Sequence, residues 1–197
     1  MAGKLLENKR IKMGRLYDAA YELFTKKGVH ATVVDDIVRH AGVAKGTFYL
    51  YCKDKYDLVD KIILRKTSVL LNDTMKALER RGREHPMTFE QNVVFFVDAL
   101  IRAFRNDKRF LELFFKNLSP SLFEQLFRCA EFENVRALFT RNFMRGGGTS
   151  EAAGQRLYLI VCMVGAHCYS SMILQKPYGF DEVSPELYRA IRRILTG

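Results

Sequence analysis

Proline is scarce in this chain, occurring only at positions 86, 120, 177 and 185, so long stretches carry nothing that would break a helix. Apolar residues recur at three- and four-residue spacing and do not alternate, which argues against strands and predicts an all-α protein. Cys52, Cys129, Cys162 and Cys168 show neither a C-x-x-C spacing nor the density of a disulfide scaffold, and read as reduced thiols of a cytoplasmic protein. The opening MAGKLLENKRIKM lacks the apolar core of a secretory signal, so export is not expected. The longest apolar run, Leu157–Ala166, is about half of the ~18 residues that span a bilayer and ends at His167, as a buried helix would. Also absent are G-x-S-x-G, P-loop, G-x-G-x-x-G and H-E-x-x-H motifs, and the Gly146-Gly147-Gly148 run has no preceding strand or following lysine to make it a phosphate cradle. No enzymatic activity and no cofactor are expected.

What is abundant is positive charge. Lys plus Arg number 32 against 22 for Asp plus Glu, a net charge of +10 that suits a polyanionic partner. Residues 1–66 hold 14 basic and 8 acidic side chains, so more than half of the excess lies in the first third. The 197 residues are enough for one or two domains with a real core.

The apolar periodicity predicts a first helix over about 9–27, with Ile11, Leu16, Ala19, Ala20, Leu23 and Phe24 along one stripe and Gly28 closing it. Two short helices, about 34–41 and 44–51, follow at helix-turn-helix spacing. A fourth spans about 53–81. Beyond Pro86, helices are expected over 88–105, 108–117, 120–145, 150–175 and 185–195, with Thr88, Ser119, Ser150 and Ser184 at their starts.

In residues 35–58, DDIVRHAGVAKGTFYLYCKDKYDL, Asp35 and Asp36 occupy the first turn of one short helix and Gly42 ends it. The next helix opens with small residues and a cation, Ala44-Lys45-Gly46-Thr47, so its first turn can approach a DNA groove closely. Phe48 faces the core, while Lys45, Thr47, Tyr49 and Tyr51 face outward, with Lys53 and Lys55 extending the basic edge.

Over residues 10–60 the chain resembles the DNA-binding domain of the TetR (tetracycline repressor) family. The resemblance rests on the Ala19-Ala20 pair before Leu23-Phe24, the turn at Gly28, Asp36-Ile37 ahead of Ala41-Gly42-Val43, Lys45-Gly46-Thr47-Phe48-Tyr49, and a lysine before Asp57-Leu58. It implies an all-helical homodimer, with residues 1–54 binding DNA and residues 55–197 binding an effector and dimerising. It further implies Lys45, Gly46 and Thr47 on bases or sugar, and Tyr49, Tyr51 and Lys55 on phosphates. Two positions depart from the family pattern: Val33 stands where a capping threonine is usual, with Thr32 expected to cap in its place, and Cys52 replaces an aromatic. The cations Lys4, Lys9, Arg10, Lys12 and Arg15 read either as a solvated face or as a minor-groove arm.

The C-terminal part is rich in phenylalanine, and Phe89, Val93, Phe96, Leu100 and Phe104 form a stripe that suits a core as well as a ligand cage. His167 reads either as a core or dimer-interface histidine bonded to a carbonyl or hydroxyl, or as the polar anchor of a ligand. Zinc binding by His167, Cys162 and Cys168 is disfavoured because the two cysteines diverge around a helix. The expected effector site is a mainly apolar pocket lined by Phe96, Phe114, Met163 and His167. The resulting reading is a regulator of palindromic double-stranded DNA, a repressor released by a small apolar effector. Its alternative is a regulator whose C-terminal domain meets a protein partner.

Overall fold

The computed structural model describes residues 2–196, with side chains from residue 7 onward. Among the described residues the regular structure is all helix: α1 Ala2–Lys27, α2 Val34–Ala41, α3 Lys45–Tyr51, α4 Lys55–Glu84, α5 Phe89–Asn106, α6 Lys108–Asn117, α7 Pro120–Arg128, α8 Ala130–Arg145, α9 Ser150–Tyr169 and α10 Phe180–Thr196.

The buried residues form two clusters. One joins Leu16, Ala20 and Phe24 of α1 to Ile37, Phe48, and Leu58, Val59, Ile62 and Ile63 of α4, and continues into Phe110, Leu122 and Leu126. The other gathers Leu71 of α4 with Val97, Ile101, Leu111, Phe139, Leu157, Ile160, Val164 and Ile191. Helix α4 therefore supplies both cores, its first half to one and its middle to the other. At about 25 cal/mol per Å² of apolar area removed from water, burial of these stripes is what holds the helices.

Local signals account for most helix ends. Gly28 (φ 85°) and Gly42 (φ 63°) take left-handed backbone that a Cβ disfavours, and each closes a helix, Gly42 by donating its N–H to Arg39. Thr88 caps α5 in a reciprocal box with Gln91, and Ser119 caps α7 ahead of Pro120. Asp54 caps α4 by accepting from the N–H groups of Tyr56 and Asp57 at 2.8 Å, which moves its start to Lys55.

Several expectations need correction. α1 begins well before residue 9, since AGKLLENK consists of good helix formers apart from Gly3 and Asn8, and Ile11 is 44% exposed, off the buried stripe. The single helix expected over 120–145 is two, broken at an extended Cys129. On an unbroken helix Val135 would lie about 2.5 turns beyond Leu126, on the opposite face. The break lets Leu122 and Leu126 fill the first core while Phe132, Val135 and Phe139 fill the second. Thr149, and not Ser150, caps α9, accepting from Ala152 N–H at 3.2 Å. A single π turn, Ser170–Leu174, extends α9, with the Ser171 hydroxyl donating to the His167 carbonyl at 2.5 Å. α10 starts at Phe180, five residues before the predicted position: Ser184 is inside the helix, its hydroxyl donating to Phe180 C=O at 2.6 Å, and the first turn is fastened by Glu182 accepting from Gly179 N–H at 2.7 Å.

By length and composition Ser150–Leu174 could cross a membrane, as the ten-residue run within it did not suggest. Here it packs Ala153, Leu157, Ile160, Val164 and Cys168 inward, and Tyr158, Leu159 and Leu174 remain exposed.

Candidate nucleic-acid interface and effector cavity

Phe48 is fully buried, and this one anchor sets the rotation of α3. The residues that then face out are Lys45, Gly46, Tyr49 and Leu50, at the i, i+1, i+4, i+5 spacing of one helical face. Tyr49 is 55% exposed, its ring braced edge-on against Phe48 at 5.2 Å. Leu50 is 78% exposed, a residue that the periodicity argument passed over; an apolar side chain left outside on the helix with most polar neighbours is the signal that could have found it. Nothing lies within 4 Å of where a Gly46 Cβ would be, so the surface there is open. Thr47 and Tyr51 are half-buried.

Lys45 is held by Asp35 of α2 at 2.8 Å, and this bond raises the ammonium pKa. Lys55 is placed differently from expectation. Its ammonium donates to the carbonyls of His30 and Thr32 at 2.8 and 2.9 Å, tying down the loop that leads into α2. Thr32 does not cap α2 and its side chain does not face out: it is fully buried, and its hydroxyl donates to Gly28 C=O at 2.8 Å. The α2 cap is Val33, which offers no side-chain acceptor, and the dipole is complemented by Asp35 and Asp36. Lys9, Arg10, Lys12 and Arg15 are exposed along α1, whereas the side chain of Lys4 lies outside the described residues.

Between the two cores sits a polar junction. Tyr21 of α1 donates its hydroxyl to the Asp107 carboxylate, 2.7 and 2.8 Å from its two oxygens, and Lys66 of α4 reaches the same group at 2.9 Å. Asp107 also caps α6, accepting from Phe110 N–H at 3.0 Å. Burial opposes its charge, but the bonds from Lys66, Tyr21 and Phe110 outweigh burial and hold its carboxyl below the ordinary value. Burial, then the hydrogen bond to Asp107, pushes the Tyr21 hydroxyl up. Three helices from both parts of the chain thus meet at one carboxylate.

Against the second core lies a cavity of about 240 Å³ walled by α4, α5, α6, α7, α8 and α9, with Phe96, Phe114, Phe115, Phe127 and Val161 among its lining. A smaller one of about 50 Å³ shares Phe96, Leu100, Val161 and Val164 with it. No Asp, Glu, Lys, Arg or His lines either. Phe115 stacks on Tyr169 at 4.9 Å, and a Cβ on Gly165 would come within 2.9 Å of the Phe115 ring, so a larger residue there would displace the cavity wall.

Two of the four expected lining residues, Phe96 and Phe114, are therefore on this wall. Met163 and His167 line neither cavity. Met163 packs at the edge of the second core. His167 turns toward α10, its Nε2 3.2 Å from Ser184 Oγ and its ring 4.7 Å from Phe180, as the core reading has it; burial lowers its pKa. The two sit on the flank of α9 that faces away from Val161 and Gly165. Among the described residues no cluster of His, Cys, Asp and Glu could hold a metal ion.

Comparison with known proteins places this geometry. Residues 16–62 match the family described as bacterial regulatory proteins, tetR family. The fatty acid metabolism regulator protein of Bacillus subtilis (strain 168) is 39% identical over 61 residues, 31% of each chain. That match, like the family match, falls short of the whole chain: about a third of this relative's length is spanned. The fatty acid degradation regulator FadR of Bacillus halodurans aligns over 94% of this chain and 95% of its own, with a TM-score of 0.67 at 17% identity. A structure of Bacillus subtilis FadR in complex with stearoyl-CoA aligns over 90% and 96%, with a TM-score of 0.66 at 16% identity.

Proposed function

We propose that this chain, whose residues 16–62 match the tetR family, is a dimeric, sequence-specific DNA-binding transcriptional regulator of that family with no enzymatic activity, working in the cytoplasm as a repressor that an apolar effector releases. The observation that carries the reading is the orientation of α3: Phe48 buried, and Lys45, Gly46, Tyr49 and Leu50 presented together on an open face. Residues 1–54 form the DNA-binding unit. Lys45, Gly46 and Thr47 approach base edges or sugar, Tyr49 and Tyr51 approach phosphates, and Leu50 is suited to a thymine methyl. Lys55 orders the loop before α2 and acts on phosphate only with the capacity its two carbonyl bonds leave.

Residues 55–197 bind the effector and dimerise. The exposed Tyr158 and Leu159 of α9 are covered by the same helices of a second copy, in an isologous four-helix contact with α10. Two recognition helices then reach successive major grooves about 34 Å apart on a palindromic operator. The uncharged, phenyl-walled cavity supports an elongated apolar effector, and the stearoyl-CoA complex of the Bacillus subtilis relative supports an acyl chain as its class.

The test is selection of bound duplexes from a random pool at moderate salt with the full-length protein. A palindrome should be enriched, and its affinity should fall steeply with salt. Recovery of no enriched sequence would remove the regulator reading. Leu159→Glu should yield monomers with weakened operator binding, and a dimer unaffected by it would place the interface elsewhere.

The alternative, a C-terminal domain that meets a protein partner, draws on the same exposed apolar face. A second copy accounts for that face, and the uncharged cavity favours a small molecule.

A further inference from the structure

One polar atom at the effector cavity is unexplained by the fold. Thr67 of α4 lines the cavity, and its hydroxyl oxygen is the one buried side-chain nitrogen or oxygen without a hydrogen-bond partner among the described residues. Both of its chain neighbours are partnered: Lys66 reaches Asp107 at 2.9 Å, and Ser68 donates to Glu131 at 3.1 Å. A threonine within a helix ordinarily returns its hydroxyl to the carbonyl four residues back, as Thr25 does to Tyr21 at 2.8 Å. Thr67 makes no such bond. A buried hydroxyl in this state destabilises the fold and calls for a partner.

The rest of the wall is carbon and sulfur: besides Thr67, the lining residues are aliphatic or aromatic side chains, Gly165 and Cys162. With no cation on the wall, a carboxylate brought into the cavity would exchange its hydration for at most one hydrogen bond, from Thr67.

We propose that Thr67 is the polar anchor of the effector, donating its hydroxyl to the carbonyl oxygen of a neutral acyl compound, an ester or thioester, and that the free acid is not the ligand. The assignment rests on the effector reading above and moves the anchor from His167 to α4. It also sets the ligand's one polar contact a single residue from Lys66, on the helix that carries both cores.

The experiment uses the full-length protein with three probes: methyl octanoate, undecane, which has the same number of heavy atoms, and octanoate. The affinity for methyl octanoate relative to undecane should be roughly 5- to 10-fold higher in wild type than in Thr67→Val, the worth of one hydrogen bond to an otherwise unpaired group, and wild type should bind octanoate less tightly than the ester at neutral pH. Thr67→Val keeps the side-chain shape and removes the hydroxyl. It should melt no lower than wild type, and Thr67→Ser should restore the wild-type ratio. If Thr67→Val keeps the wild-type ratio, or melts well below wild type, the hydroxyl has another role and the anchor is refuted. Octanoate binding more tightly than the ester would overturn the neutral-ligand assignment. Failure of all three probes to bind wild type would instead remove the effector reading itself.

Discussion

Tyr21→Phe removes one oxygen and little else. The ring stays in place under the Lys66 ammonium, which stands 4.1 Å from its centroid, and its neighbours in the first core are unchanged. What is lost is the hydroxyl's bond to Asp107, at 2.7 and 2.8 Å from the two carboxylate oxygens. Hydrogen bonds to charged groups are worth about 1.5–3 kcal/mol. Asp107 keeps Lys66 and the Phe110 N–H, and its side chain is 32% exposed, so solvent takes up part of the loss. The net cost is then about 1–1.5 kcal/mol, and in a chain of this size it lowers Tm by roughly 3–5 °C.

The assay is urea and thermal unfolding of Tyr21→Phe, Asp107→Asn and the double variant. A direct bond makes the two substitutions non-additive, with a coupling of about 1 kcal/mol. Because the Asp107 carboxyl is held below its ordinary value in the folded chain, its contribution is fully present above the unfolded value of about 3.9 and is lost as pH falls through the lower folded value. The coupling should therefore be constant from pH 5 to 7 and vanish in strong acid. Additive singles at pH 7, or a coupling that persists in acid, would refute the junction as described. Since Asp107 heads α6, which bears Phe114 and Phe115 of the cavity wall, Tyr21→Phe should also reduce the effect of any bound probe on operator affinity.

Lys55→Met should lower stability by about 1–2 kcal/mol by freeing the His30 and Thr32 carbonyls, and weaken binding to all duplexes; an unchanged melting curve with only a reduced salt slope would return Lys55 to a purely phosphate role. Leu50→Ala should relax the preference at one base pair of the operator by about 1 kcal/mol, with no change in salt dependence; selection returning the same palindrome unaltered would count against the contact. Burial lowers the His167 pKa, so the unfolded chain takes up that proton more readily, and stability should fall as pH drops below about 6.5. His167→Gln should flatten that slope between pH 7.5 and 5, and an identical slope in the variant would show that another group titrates.

Much of the molecule is written in local pattern. The stripe of Leu16, Ala20 and Phe24, the left-handed glycines 28 and 42, the Thr88 box and the Ser119-Pro120 start all act within a few residues, and the helices they imply are the ones found. The outward turn of Lys45 and Tyr49 was legible because Phe48 faces the core, whereas Leu50, the other large apolar residue of this seven-residue helix, was not legible as an exposed one.

Where two segments far apart in sequence compete for one group, pattern is silent. Thr32 has the chemistry of a cap, yet its hydroxyl goes back to Gly28, and Lys55 has the chemistry of a phosphate contact, yet two carbonyls more than twenty residues away take its ammonium. No breaker marks Cys129; the chain bends there because residues 122–126 and 132–139 serve two cores on opposite faces of what would otherwise be a single helix. The cavity follows the same logic. Periodicity puts Phe96, Phe114, Met163 and His167 on apolar faces alike, because it reports an angle about one helix axis. Which apolar side chains meet a neighbour and which line a void depends on the spacing between axes, and that is settled only when all the helices have packed.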